Sequence, residues 1–190
     1  MFAADIEKII PELRGFARML CGDQVRADDI VQNACLKAWR ARASFNPEKG
    51  SFKSWMMTIT RNEFLQDLRK NKRMDSHAPS DLEDWLIADC RLAKQAECSD
   101  AIQQVFTLER DQRDVFILVV AMGYSYEEAA KICNCTVGTV KSRIHRARAK
   151  LQALREEDAD TAPQRSREFP TLYSIQDLCG YADNLVHAAA

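Results

Sequence analysis

The stretch that most constrains the fold runs from Tyr124 to Lys150, YSYEEAAKICNCTVGTVKSRIHRARAK. Its spacings fit two helices joined by a tight polar turn. Ser125 stands three positions before Glu128, the capping-box spacing in which a hydroxyl and a carboxylate satisfy orphan amides at a helix start. A short helix is therefore predicted from about Tyr126. Ala129, Ala130, Ile132 and Cys133 give it a small apolar face that lets another helix come close. Asn134 tolerates the turn, and Thr136 can cap a second helix.

That second helix is predicted from about Val137 to Leu154, with Val140, Ile144, Ala147 and Leu151 at spacings of four, three and four facing the core. Lys141, Arg143, Arg146, Arg148, Lys150 and Arg155 occupy the other side, and no acid follows until Glu156. A helix-turn-helix offers its second helix to the DNA major groove, with its N-terminal residues nearest the base edges and flanking cations on phosphates. Lys141, Ser142, His145 and Arg146 then stand where bases are read. A run of cations is more commonly a solvated helix face. The missing acids and the capped helix just before it favour DNA.

The formal charge of −1, from 27 Lys and Arg against 28 Asp and Glu, argues against a nucleic-acid binder only if charge is evenly spread. It is segregated. Between Arg61 and Arg73 the cations Arg61, Arg69, Lys70, Lys72 and Arg73 outnumber Glu63 and Asp67, whereas Met74 to Asp100 is dominated by Asp75, Asp81, Glu83, Asp84, Asp89, Glu97 and Asp100. Two basic blocks flank an acidic connector, which suits a chain that holds DNA at two places. Strong alternating strand patterns are absent, so an all-α chain of one or two domains is expected. The seven cysteines are odd in number and scattered, and with no signal peptide or spanning apolar run a reduced, cytoplasmic setting is expected. Cys133 and Cys135 form one close pair, but His145 is the sole further ligand candidate nearby. No metal or cofactor is expected, and the two thiols read as small hydrophobes.

Toward the N-terminus, Ile6, Ile9, Ile10, Leu13, Phe16, Ala17 and Leu20 form a helical stripe over residues 4 to 21. Proline is best tolerated in a first turn, so the main helix is predicted to begin near Pro11 after a shorter helical piece. Residues 26 to 43 form a second helix with Ala27, Ile30, Val31, Ala34, Ala38 and Ala41 inward and Asp29, Gln32, Asn33, Leu36 and Arg40 outward. The outer face is either a solvated surface or a protein-docking face in which polar groups fix register around an apolar contact. FNPEKGS at 45 to 51 is a loop, and Ser51 can cap a third helix to about Lys72 carrying Phe52, Trp55, Met56, Ile59, Phe64, Leu65 and Leu68. Aromatics near cations and Asn62 are the ingredients of a single-strand pocket, though Phe52 and Trp55 fit a three-helix core at least as well. A linker follows over 74 to 100, with a short helix near Leu82 to Ala93. Then come helices from Ala101 and from Asp111 to Met122, ended by Gly123. Beyond Glu156 the acidic EEDADTAP reads as an exit from the fold, with a short helix over Ile175 to Ala189.

The arrangement resembles a bacterial sigma factor of the extracytoplasmic function (ECF) type, on RADDIVQNACLKAW (26 to 39), FNPEKGSFKSWMMTITRN (45 to 62) and SYEEAAKICNCTVGTVKSRIHRAR (125 to 148), over roughly residues 5 to 155. ELRGFARMLCG (12 to 22) with SYEEAAKIC and VGTVKSR also resembles the general-stress-response subgroup. The resemblance implies two helical domains: region 2 at 1 to 73 and region 4 at 101 to 155, with the acidic linker at 74 to 100 and a tail of unknown role at 156 to 190. It implies no enzymatic activity. Core RNA polymerase (the β′ clamp helices and the β subunit), promoter DNA and an anti-sigma factor are the implied partners. Asp28, Asp29, Gln32 and Leu36 would contact polymerase. Arg61, Asn62, Lys49 and Arg69 would serve the −10 element, and Thr139, Lys141, Ser142, Arg143, His145, Arg146 and Arg148 the −35 element. The chain departs from many relatives at Leu65, Gln66 and Asp67. Two other functions stay open on the residues: a sigma-like decoy that binds an anti-sigma protein without reading promoters, and a stand-alone helix-turn-helix regulator.

Overall fold

The computed structural model describes residues 2–74 and 100–161, and every regular element among them is helical. Three helices form the first unit: α1 (Phe2–Cys21), α2 (Gln24–Arg40) and α3 (Phe52–Met74). The second holds α4 (Asp100–Phe106), α5 (Arg110–Phe116) continued by a π-helical turn (Ile117–Ala121), α6 (Tyr126–Cys133) and α7 (Val137–Thr161). The expected acidic linker, its helix near Leu82 and the helix over 175 to 189 lie outside the described residues.

Each boundary has a local cause. Asp23 accepts the amide of Arg26 at 2.7 Å and starts α2. Gly22, with φ of +74°, closes α1 in the left-handed conformation that selects glycine, and the Phe106 ring packs beside it in ordinary van der Waals range. Helix α1 departs from expectation: it runs unbroken through Pro11. Ile6 and Ile9 are buried ahead of the proline, and Phe2 sits edge-on to Phe52 with ring centroids 5.4 Å apart. Burial of these side chains holds the first turns helical against a proline penalty of about 3 kcal/mol. Residues 156 to 161, expected to leave the fold, extend α7 instead.

Leu13, Phe16, Leu20, Ala27, Ala34, Met56, Met57 and Phe64 are fully or nearly fully buried and join the three N-terminal helices. Ion pairs tie their rims: Arg26 to Asp67 at 2.6 Å, Lys37 to Glu63, and Lys53 to Glu12 at 2.5 Å. The core then continues without a break into Val115, Ile117, Leu118, Ala129, Ile132, Val140, Ile144 and Ala147, because α3 packs against α6.

The buried thiols make this core sensitive to alkali. Burial pushes Cys21 up to about 11 and Cys133 up to about 12, the latter only partly opposed by Arg61. An unfolded thiol ionises first, so the stabilisation is full below the ordinary thiol pKa and is lost as pH rises through the folded values. Each pH unit above about 9 costs about 1.4 kcal/mol per thiol. Thermal melts are expected to fall steeply from pH 9 upward, and Cys133→Val is expected to flatten that slope; an unchanged slope refutes the assignment.

Candidate nucleic-acid and polymerase interfaces

The helix-turn-helix is built as its spacing predicts. Ser125 Oγ accepts the Glu128 amide at 3.1 Å, while the Glu128 carboxylate accepts the Ser125 amide at 2.9 Å. Asn134 adopts the left-handed conformation at φ 52°, and Thr136 Oγ1 accepts the Thr139 amide at 3.1 Å to start α7. Val140, Ile144 and Ala147 are buried beneath α7, which fixes the face it turns outward.

On that outer face Lys141, Ser142, His145, Arg146 and Arg148 are exposed together. Lys141, His145 and Arg148 rim a shallow open depression of about 250 Å3, floored by Ile144 and flanked by Tyr126, Ala149 and Gln152. Cations around a small apolar floor, on the outward face of α7, can meet phosphates and base edges. Arg146 folds back so that its Nη2 lies 3.4 Å from Ser142 Oγ.

Thr139 and Arg143, both predicted to contact DNA, are engaged elsewhere, and Ser142 Oγ, though exposed, donates to the Thr139 carbonyl at 3.0 Å. Thr139 Oγ1 lies 2.9 Å from Thr136 Oγ1 within the cap. Arg143 turns toward α5, where its Nη2 is paired with Asp111, and its side chain is only 19% exposed. Lys150 also turns back, donating to the Thr107 carbonyl at 2.7 Å. Arg143 and Lys150 thus bind α7 to the helices behind it, a role the charge run could not distinguish from DNA contact. Asp111→Ala is accordingly expected to lower the melting temperature by several degrees, about 1 kcal/mol for a partly exposed charged pair. Arg146→Ala, which breaks only interactions within α7, is expected to leave it within about 1 °C. Differential scanning calorimetry distinguishes the two.

On α2, Asp29, Gln32 and Leu36 form an exposed row beside Val25, with Leu36 51% exposed and Val25 72%. Asp28 is drawn into an ion pair with Arg14 at 3.1 Å. Val25 and Trp39, absent from the sequence-based candidates, extend this row; the signal was available, since both fall at helical spacing from Leu36 and Gln32. Trp39 is 48% exposed, carries Arg42 over its ring at 5.3 Å and touches the ring of Phe2.

Phe2, Phe45, Phe52 and Trp55 cluster with centroids 5.3 to 6.3 Å apart. The half-buried Phe52 and Trp55 therefore serve the core and still reach its edge. Lys49, Asn62 and Arg69 are exposed, but Arg61 is not: its Nε donates to Asp114 at 2.7 Å, inside the junction of the two units.

Residues 6–74 match the family model for sigma-70 region 2, and residues 103–151 that for sigma-70 region 4. The chain is 42% identical over 150 residues to the ECF RNA polymerase sigma factor EcfG of Rhodopseudomonas palustris, covering 79% of this chain and 82% of that protein. It is 37% identical over 145 residues to the ECF sigma factor SigM of Mycobacterium tuberculosis, covering 75% and 71%. Among solved structures, the sigma factor RpoE in complex with the anti-sigma factor NepR from Bartonella quintana aligns with a TM-score of 0.65 at 34% identity, over 82% of this chain and 96% of that one. CnrH in complex with the cytosolic domain of CnrY aligns with a TM-score of 0.61 at 28% identity, over 83% and 88%. Both sigma regions are matched in order, on the helices that carry the exposed row of α2 and the cationic face of α7, and the chain belongs to the ECF family of RNA polymerase sigma factors.

Proposed function

We propose that this chain binds core RNA polymerase through α2 and directs it to promoters by reading a −35 element with α7 and a −10 element with α3 and the loop before it. The carrying observation is that one helical chain exposes both a row of acid, amide and apolar residues, Asp29, Gln32 and Leu36, and a cationic helix-turn-helix face. Region 2 spans 1 to 73 and region 4 spans 101 to 155, with 74 to 100 as an acidic linker. Lys141, Ser142, His145, Arg146 and Arg148 carry the −35 contacts. Lys49, Asn62 and Arg69 are open to −10 DNA, and Arg61 joins them once its carboxylate partner is displaced.

The protein works in the cytoplasm, performs no catalysis itself and serves a stress response. The relatives solved with NepR and CnrY support an anti-sigma factor as its restraint. Run-off transcription tests the reading: purified protein with bacterial core polymerase on fragmented host DNA is expected to yield discrete starts sharing two upstream elements. Core binding without any such starts overturns the promoter-reading part, and absence of core binding overturns the α2 assignment.

A further inference from the structure

Arg61 and Asp114 lie 53 positions apart, yet their side chains meet with 8% and 0% exposure at the joint between the two units. Two turns earlier on α3, Lys53 stands over the ring of Tyr124 at 5.4 Å, in the segment that leads into α6. On the other side, α6 presents the buried small residues Ala129, Ala130 and Cys133, and a short-chained surface lets α3 approach closely. Apolar packing therefore closes the joint, and one buried ion pair sets its register. A buried pair of this kind contributes little net stability, because both ions have left water, but removing one partner strands the other charge.

The joint is also incompletely satisfied. Asp114 Oδ1 and Tyr124 Oη are buried with no hydrogen-bond partner among the described residues. Separating the units returns both atoms to water and offsets part of the apolar surface uncovered. Closure is thus strong enough to form and costly enough to reverse. Meanwhile Asn62, the next residue on α3, faces solvent while Arg61 is covered. A guanidinium uses the same N–H donors for a carboxylate as for a phosphate.

We propose that Asp114 is an internal stand-in for a DNA phosphate on Arg61, so that packing of α3 against α5 and α6 withholds Arg61 from promoter DNA until the two units part. The DNA half of this inference rests on the reading of α3 as a −10 contact; the closure half does not. Closure reduces apparent DNA affinity by the fraction of molecules that are open.

Asp114→Asn in the full chain tests both halves. The variant leaves Arg61 buried without a counter-charge and is expected to open the joint: a larger radius of gyration by X-ray scattering and at least tenfold faster alkylation of Cys133, with helical circular dichroism retained. Random-sequence single-stranded DNA is expected to bind it severalfold tighter than the parent. Tyr124→Phe, which removes an unpartnered hydroxyl without adding volume, is expected to shift the other way, with slower Cys133 alkylation and weaker DNA binding. If both variants stay as compact and as unreactive as the parent, the closure is overturned. Opening without any gain in DNA binding overturns the competition at Arg61, and the run-off assay then reports separately on the sigma function. If Asp114→Asn loses helicity, the Tyr124→Phe result alone decides.

Discussion

Replacing Lys141, Arg146 and Arg148 together with alanine is expected to weaken promoter binding by about 100- to 1,000-fold at physiological salt while leaving the fold intact. All three are exposed on α7, and the hydrogen bonds of Arg146 stay within that helix. Removing one cation from a phosphate lowers the slope of log affinity against log salt by about 1, so the variant is expected to show a slope smaller by about 2 to 3. Competition titrations on promoter duplex at several salt concentrations measure both quantities. An affinity loss with no change in slope would mean that these residues act through base edges alone, and unaltered affinity would remove α7 from the DNA interface. Arg143→Ala is a useful contrast. Because Arg143 is anchored to Asp111, its replacement is expected to reduce affinity mainly by loosening α7, with little change in slope.

The second large effect is expected on α2. Leu36→Asp, or Asp29→Arg, should lower affinity for core polymerase by about 100-fold or more, the loss of roughly 3 kcal/mol that truncation at a central interface residue produces. Both side chains are exposed and outside the core, so melting temperature is expected to stay within about 2 °C of the parent, as for surface substitutions. Binding measured by anisotropy of a labelled chain, followed by run-off transcription at saturating protein, separates loss of docking from loss of promoter reading. Wild-type affinity in both variants would sink the docking assignment. Retained affinity with lost transcription would move the role of this row to a later step.

Much of the second unit was legible because its instructions are local. The capping box at Ser125 and Glu128, the left-handed Asn134 and the cap at Thr136 each act within four residues, and the chain obeys all three. The three-helix unit was legible for a related reason: its apolar positions keep helical spacing, so Leu13, Phe16, Ala27, Ile30 and Phe64 are buried as expected. Pro11 misled because a local penalty was weighed without the tertiary burial of Ile6 and Ile9 that opposes it.

The partners of the cations were not legible. Nothing in the sequence pairs Arg61 with Asp114, Arg143 with Asp111 or Lys37 with Glu63, since ion pairing across helices leaves no periodic trace. A block rich in Arg and Lys thus contains residues of opposite use. Some face solvent, and some are consumed in holding helices together. Only the direction in which α3 and α7 lie on their neighbours sorts them.

Helix α7 runs without interruption from Val137 to Thr161, about 38 Å at 1.5 Å per residue. Its cations lie before residue 156, and by sequence Glu156, Glu157, Asp158 and Asp160 lie on its last turns. A stiff rod cannot fold its acidic end back over its own basic face. By sequence, the basic residues and then the acidic ones follow one another along this rod and give it a dipole moment, even though the whole chain is close to neutral. In the field of a DNA duplex such a dipole experiences a torque before contact, turning the basic end inward and the acidic end away. Near-neutrality then limits indiscriminate attraction to polyanions, while orientation on approach is preserved.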